Sequence, residues 1–359
     1  MSLFGDIYRG KRVLLTGHTG FKGSWLALWL HELGAEVTGV ALAPEAQPNH
    51  WDLLQLPIAD HRHDIRDLAG LQKIISASQA ETVFHLAAQP LVRRSYRDPI
   101  ETWSTNVMGT AHVLEACRQQ PSVRAIVVVT TDKCYENREW PWGYRENDHL
   151  GGHDPYSASK AGTELVAASY RSSFYSTSTV PLLATARAGN VIGGGDWSED
   201  RLIPDLIRAL QQNQSLEVRS PQATRPWQHV LESLSGYLLL GQKLLMREQT
   251  FAQAWNFGPE PQGNRGVSEV LGKLACHWNA LRWHVTDRPQ PHEAMQLYLD
   301  SAKARSLLRW QPVWNIDITL HQTAQWYRAW LETGDIASRA QLQTYIADAT
   351  RAGIEWART

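Results

Sequence analysis

The chain has 359 residues, enough for two domains around substantial cores, and its 43% hydrophobic and 20% charged composition is that of an ordinary globular protein. A formal net charge of -1 offers no general field for polyanions, so no nucleic-acid partner is expected. Cys117, Cys134 and Cys276 are an odd number, widely spaced and without a CxxC pair, which argues against a disulfide framework or a zinc site and fits a reducing cytosol.

Residues 1–11 carry charge and no long apolar run, so neither a signal peptide nor a membrane-spanning segment is expected there. The apolar run 12–16 then leads into Gly17-His18-Thr19-Gly20-Phe21-Lys22-Gly23, which opens a helical pattern over 24–30. In a strand, turn, helix context such glycines let the backbone approach a pyrophosphate seated on the helix N-terminus, so these seven residues are the expected cofactor cradle. Further apolar runs at 36–41, 82–86, 125–130 and 182–187 read as buried parallel strands alternating with helical stretches. That alternation predicts an α/β fold with a doubly wound parallel (Rossmann) sheet. The second run ends Val40-Ala41-Leu42-Ala43-Pro44, with no acidic residue for an adenosine ribose and no arginine close behind for a 2′-phosphate, and the reading leans to NAD. His61 and His63 lack a third ligand nearby, and no metal is expected.

Thr130-Thr131-Asp132-Lys133-Cys134-Tyr135 falls at the carboxyl end of the run 125–129, where doubly wound sheets carry their sites. Tyr156 and Lys160 follow at i and i+4, one face of a helix, where an ammonium can support a phenolate that would otherwise form only near pH 10. After Arg187 the texture turns to short segments rich in Gly, Pro, Asn and Arg, which predicts a smaller mixed α/β lobe over 188–229 and 259–359. Residues 1–187, with 230–258 returning to them, form the expected NAD-binding lobe. Most of the sixteen tryptophans are expected to be packing residues.

The GxxGxxG spacing together with YxxxK resembles the extended short-chain dehydrogenase/reductase family, over about residues 12–330. His85-Leu86-Ala87-Ala88-Gln89 is similar to that family's loop after the fourth strand, which implies cofactor contacts at Leu86, Ala87 and Ala88 and a substrate contact at Gln89. By the same resemblance Asn106 is a structural helix asparagine on the cofactor side. Asp64-Ile65-Arg66-Asp67 resembles the segment over the adenine, which implies cofactor contacts at Asp64 and Ile65, with Asp64 the partner of the adenine amine. Thr130-Thr131-Asp132 resembles the nucleotide-sugar 4,6-dehydratases, in which Thr131 would bond the sugar 4-hydroxyl and Asp132 would be the acid, with Thr130 beside the cofactor. Lys133 departs from the group's usual glutamate, leaving carbon-5 proton removal to a lysine held neutral or to another group such as Glu136.

This Thr-Asp-Lys variant is most similar to members acting on CDP-glucose, as are Gly17 to Gly23, the run from Arg187 to Trp197, and Pro291-His292-Glu293-Ala294. The resemblance implies that Asn190, Arg201, Arg225 and Arg288 hold the substrate diphosphate, and charge alone makes arginines suitable for it. It also implies a homodimer built from helices within 99–118 and 156–173, a cytoplasmic setting, and a product destined for deoxysugars of bacterial surface polysaccharide. A 4-epimerase, which would share Tyr156 and Lys160 but has no use for an acid at Asp132, is the nearer rival. A silent cofactor-binding protein is the more distant one.

Overall fold

The computed structural model describes residues 3–175, 180–286 and 296–358. Seven strands form one parallel sheet: β1 (Arg12–Thr16), β2 (Glu36–Ala41), β3 (Ala59–Arg62), β4 (Thr82–His85), β5 (Ala125–Val129), β6 (Leu182–Ala188) and the strand Ala254–Phe257. Read across the sheet, the order runs β3, β2, β1, β4, β5, β6 and then Ala254–Phe257. Strand order therefore reverses between β1 and β4, the crevice in which doubly wound sheets bind dinucleotides. β5 and β6 are buried along their whole length, as expected of strands covered on both faces by helices.

β3 was not foreseen, and its composition explains why. The strand Ala59-Asp60-His61-Arg62 is exposed throughout at the sheet edge, so no apolar run marks it. The helix Phe21–Glu32 is the opposite case: Gly23 to Leu30 are all buried, because the helix lies between the sheet and the C-terminal helices. Trp29 meets Tyr345 edge to face at 5.7 Å, and Phe4 stacks on Trp356 at 5.0 Å. Residues 338–357 thus pack against the helix Phe21–Glu32 and the segment Leu3–Asp6. Many tryptophans do pack: Trp25, Trp29, Trp255, Trp310, Trp326 and Trp356 are fully buried.

One carboxylate ties the C-terminal segment down. Glu232, on the helix Val230–Leu245, accepts from the backbone N–H of Trp314 (2.7 Å) and Val313 (2.9 Å) and from the Tyr345 hydroxyl (2.8 Å). The smaller lobe is built from short pairs: Leu216–Val218 with Trp283–Val285, Thr224–Pro226 with Asn264–Gly266, and Val191–Ile192 with Gln228–His229. It closes over the carboxyl ends of the large sheet.

Candidate active site

A cleft of about 1290 Å³ runs along those strand ends, from the glycine turn to the small lobe. Gly17 has φ +76, and a Cβ there would lie 2.6 Å from the Ala87 nitrogen. A Cβ on Gly23 would lie 2.0 Å from the Gly17 carbonyl oxygen. Only glycine permits this turn. The helix Phe21–Glu32 begins at Gly20 with no side-chain cap, leaving its first amides for an anion. A dinucleotide pyrophosphate fits such a cradle. Thr19, Gly20, Phe21, Lys22, Asp64, Ile65, Leu86, Ala87 and Ala88 also line the cleft, as expected of cofactor contacts.

Three residues take other places than expected, His18, Gln89 and Glu136, while Asn106 has the structural role that the resemblance implied. His18 is fully buried, with Nε2 bonded to the Asp60 carboxylate at 2.9 Å and its ring against Trp51, so its side chain supports the turn from behind. It has room because position 39 is glycine, where a Cβ would lie 2.5 Å from the ring. Asn106 does not line the cleft; its amide donates to the Gln89 carbonyl (3.1 Å) and to Ser159 (2.8 Å), and its oxygen accepts from the Gln89 N–H (2.8 Å). Gln89 borders the cleft, but its amide nitrogen is engaged by Thr102 and the Leu91 carbonyl, and its oxygen by the Leu91 N–H. Both amides brace the loop after β4. Glu136 is exposed, paired with Arg138 and outside the cleft, which removes it as the carbon-5 base.

Tyr156 and Lys160 lie in the first turns of the helix Pro155–Ser173, capped by Asp154, and both are buried facing the cleft. Burial pushes the Tyr156 phenol up; a hydrogen bond between the Tyr156 and Thr131 side chains and the Arg201 guanidinium oppose that rise. The Lys160 ammonium donates to the Val129 carbonyl at 3.0 Å, and burial pulls it down to about 8. The two side chains share a face as the spacing required, yet in this arrangement the ammonium is anchored on β5.

Thr131, Asp132 and Lys133 follow directly at the strand end. The Thr131 hydroxyl donates to Asp132 Oδ1 at 2.9 Å and accepts from the Lys133 N–H at 3.3 Å. Asp132 is 1% exposed, its other oxygen Oδ2 has no hydrogen-bond partner among the described residues, and burial raises its carboxyl. A buried carboxyl inclined to hold its proton is what a general acid requires. Lys133 is half-buried in the cleft wall beside it.

Lys22 lines the cradle and also makes a distant contact that its place in the glycine turn did not announce. Its ammonium donates to the Tyr237 hydroxyl at 3.3 Å, and burial together with Arg201 pulls it down to about 7. The glycine turn therefore brings an amine into the electrostatic reach of Asp132 and Lys160. Asn190, Arg201 and Arg225 line the far end of the cleft, with Arg201 bonded to Asp196 at 2.9 Å. Arg288 and Pro291 to Ala294 lie outside the described residues. Among the described residues no cluster of three or more His, Cys, Asp or Glu side chains could hold a metal, and no helix is long and apolar enough to cross a membrane.

A Rossmann sheet carrying a glycine cradle, a buried Tyr-Lys pair and a Thr-Asp couple defines an α/β protein of the short-chain dehydrogenase/reductase type. Residues 14–323 match the family model described as GDP-mannose 4,6 dehydratase, and the chain belongs to that family. It is 47% identical to the CDP-glucose 4,6-dehydratase of Salmonella typhimurium (strain LT2) over 355 residues, 96% of this chain and 99% of that one. Among solved structures, MoeE5 in complex with UDP-glucose and NAD is 26% identical with a TM-score of 0.75, covering 90% of this chain and 100% of that one. An epimerase from Methanothermobacter thermautotrophicus reaches a TM-score of 0.81 at 24% identity, over 91% and 95% of the two chains. Backbone similarity alone therefore does not separate dehydratase from epimerase.

Proposed function

We propose that the chain is an NAD-dependent hydro-lyase that converts CDP-D-glucose to CDP-4-dehydro-6-deoxy-D-glucose and water. The observation that carries this reading is the buried Asp132 carboxyl beside Thr131 and Tyr156, since epimerisation needs no acid there. Choice of CDP-glucose rests on the 47% identity to the Salmonella enzyme, and choice of NAD on the cradle and on MoeE5. Held by the glycine cradle of Gly17, Gly20 and Gly23, NAD would supply a hydride acceptor for sugar carbon 4 and a hydride source for carbon 6. Tyr156 takes the proton of the 4-hydroxyl, in a hydrogen bond that Thr131 shares, and Lys160 supports the charge that develops on the phenol. The resulting ketone acidifies carbon 5. Lys133, the cleft-wall lysine of the Thr-Asp-Lys run, takes that proton and returns it to carbon 5 when carbon 6 is reduced, while Asp132 protonates the departing 6-hydroxyl. Asn190, Arg201 and Arg225, with Arg288, hold the diphosphate.

The enzyme acts as a homodimer in the cytoplasm, on a route to deoxysugars of surface polysaccharide. Support for the dimer comes from Ile100, Trp103, Met108 and Leu165, which are exposed by 76, 40, 52 and 61% on helices within 99–118 and 155–173. Large apolar side chains gathered on such helices mark an association surface.

The test is turnover of each nucleotide glucose, read by the alkaline absorbance of a 4-keto sugar, with substrate labelled by deuterium at carbon 4. Conversion of CDP-glucose with the label at carbon 6 is expected. Activity confined to another nucleotide would remove the substrate, and release of a hexose retaining its 6-hydroxyl would remove the reaction.

A further inference from the structure

Beneath the Tyr-Lys pair lies a charged group that the reaction above does not use. Glu164 follows Lys160 by four residues as Lys160 follows Tyr156, so the three side chains form one stripe on the helix Pro155–Ser173. Glu164 is 3% exposed. Its carboxylate accepts from the hydroxyls of Thr130, on one oxygen, and Thr185 (2.8 Å), on the other, and pairs with the Arg187 guanidinium at 2.8 Å. Arg187 in turn donates to the Tyr135 hydroxyl (2.7 Å) and the Glu146 carbonyl (3.0 Å), and the Tyr135 hydroxyl donates to Asn256 at 2.8 Å. Two strands and the loop after Cys134 are thus joined through one buried anion.

We propose that Glu164 is a positioning residue for the dehydration: it supplies the negative charge behind Lys160 and pins Thr130, the residue on which Thr131 and Asp132 hang. A buried ion pair with every acceptor filled is costly to build and adds little stability over an apolar filling, so its placement under a catalytic lysine calls for a functional account. The groups facing Lys160 are few. Tyr156 and Glu164 come from its own helix, Cys134 from the segment Asp132–Cys134, Lys22 from the helix Phe21–Glu32, His85 from β4, and the Val129 carbonyl from β5. Glu164 itself faces Thr130, Thr185 and Arg187, with Arg171 further along its helix. Burial lowers Lys160, and Glu164 is the foremost group opposing that fall. Without this anion the lysine would lose its proton at lower pH, and Tyr156 would lose its support there.

The inference rests on the proposed reaction, and its test separates the two. Glu164→Gln keeps the shape and removes the charge; the alkaline limb of kcat/KM should move about one to two units to lower pH. Glu164→Asp, which retains the charge, should restore most of that shift. Because Gln leaves Arg187 buried beside a neutral partner, the double variant Glu164→Gln/Arg187→Met is made alongside. It removes both charges, and of the two only Glu164 is among the foremost groups acting on Lys160, so the displaced limb should persist. Competitive acetylation of Lys160 across the pH range, read by peptide mass spectrometry, follows the lysine itself and needs no turnover. A fall in rate that is equal at every pH, with the limb and the acetylation profile unmoved, would overturn the role of Glu164. Failure of the wild-type enzyme to dehydrate CDP-glucose would overturn the reaction instead.

Discussion

Gly189, at the end of β6, tests whether the position of Asp132 governs elimination. A Cβ there would lie 2.9 Å from Asp132 Oδ2 and 2.5 Å from Pro226 Cγ. Ordinary contact begins at 3.4 Å, so Gly189→Ala must drive the carboxyl back by about half an ångström and the rigid proline by about twice that. Catalytic groups need placement within about 0.5 Å, and a displacement of about 1 Å can cost roughly a hundredfold. We therefore expect kcat for 4-keto-6-deoxy sugar to fall about 10- to 100-fold. The nearest atoms to the added carbon belong to Pro226 and Asp132 and not to Tyr156, so oxidation at carbon 4 should be the less affected step. Rapid-mixing absorbance would show reduced nicotinamide persisting before product appears, and a thermal melt would check the fold. A variant that melts like the wild type and turns over within twofold of it would refute the claim that the acid is held by packing against Gly189.

Glu232 carries a pH prediction. Burial raises its carboxyl to about 7, above its unfolded value, so the folded state binds the extra proton and loses stability as pH rises from about 4.5 through 7. Wild type should lose up to about 3 kcal/mol more across that interval than Glu232→Gln, measured by denaturant titration at each pH. At pH 5 the variant should itself be less stable, because its amide nitrogen meets backbone and hydroxyl donors. Equal pH slopes in the two proteins would count against it. Leu165→Glu combined with Trp103→Glu should convert the dimer to monomer in sedimentation velocity; a wild type that sediments as a monomer would dispose of the interface.

The glycine turn after β1 was legible from local pattern, because glycines at this spacing between a strand and a helix have one geometry and few uses. The stripe of Tyr156 and Lys160 was likewise readable, since helical spacing alone places both on one face. The short edge strand Ala59–Arg62 left no hydrophobic trace because solvent covers it, and its partner role emerges only from the register of β2 and β3. Sequence proximity also misassigned amides and carboxylates. Gln89 and Asn106 sit in recognisable motifs yet bond to one another, and Glu136, three residues from the end of Thr130-Thr131-Asp132-Lys133, points to solvent. The chain by itself determined the alternating α/β order, the glycine turn and the chemistry-bearing pairs, all of which depend on neighbours within one turn or one strand. Tertiary structure decided what depends on distant residues: Lys22 reaching Tyr237, Glu164 joining Thr130 to Arg187, and Glu232 holding residues 313–345, because burial and charge are set by whatever the fold packs alongside.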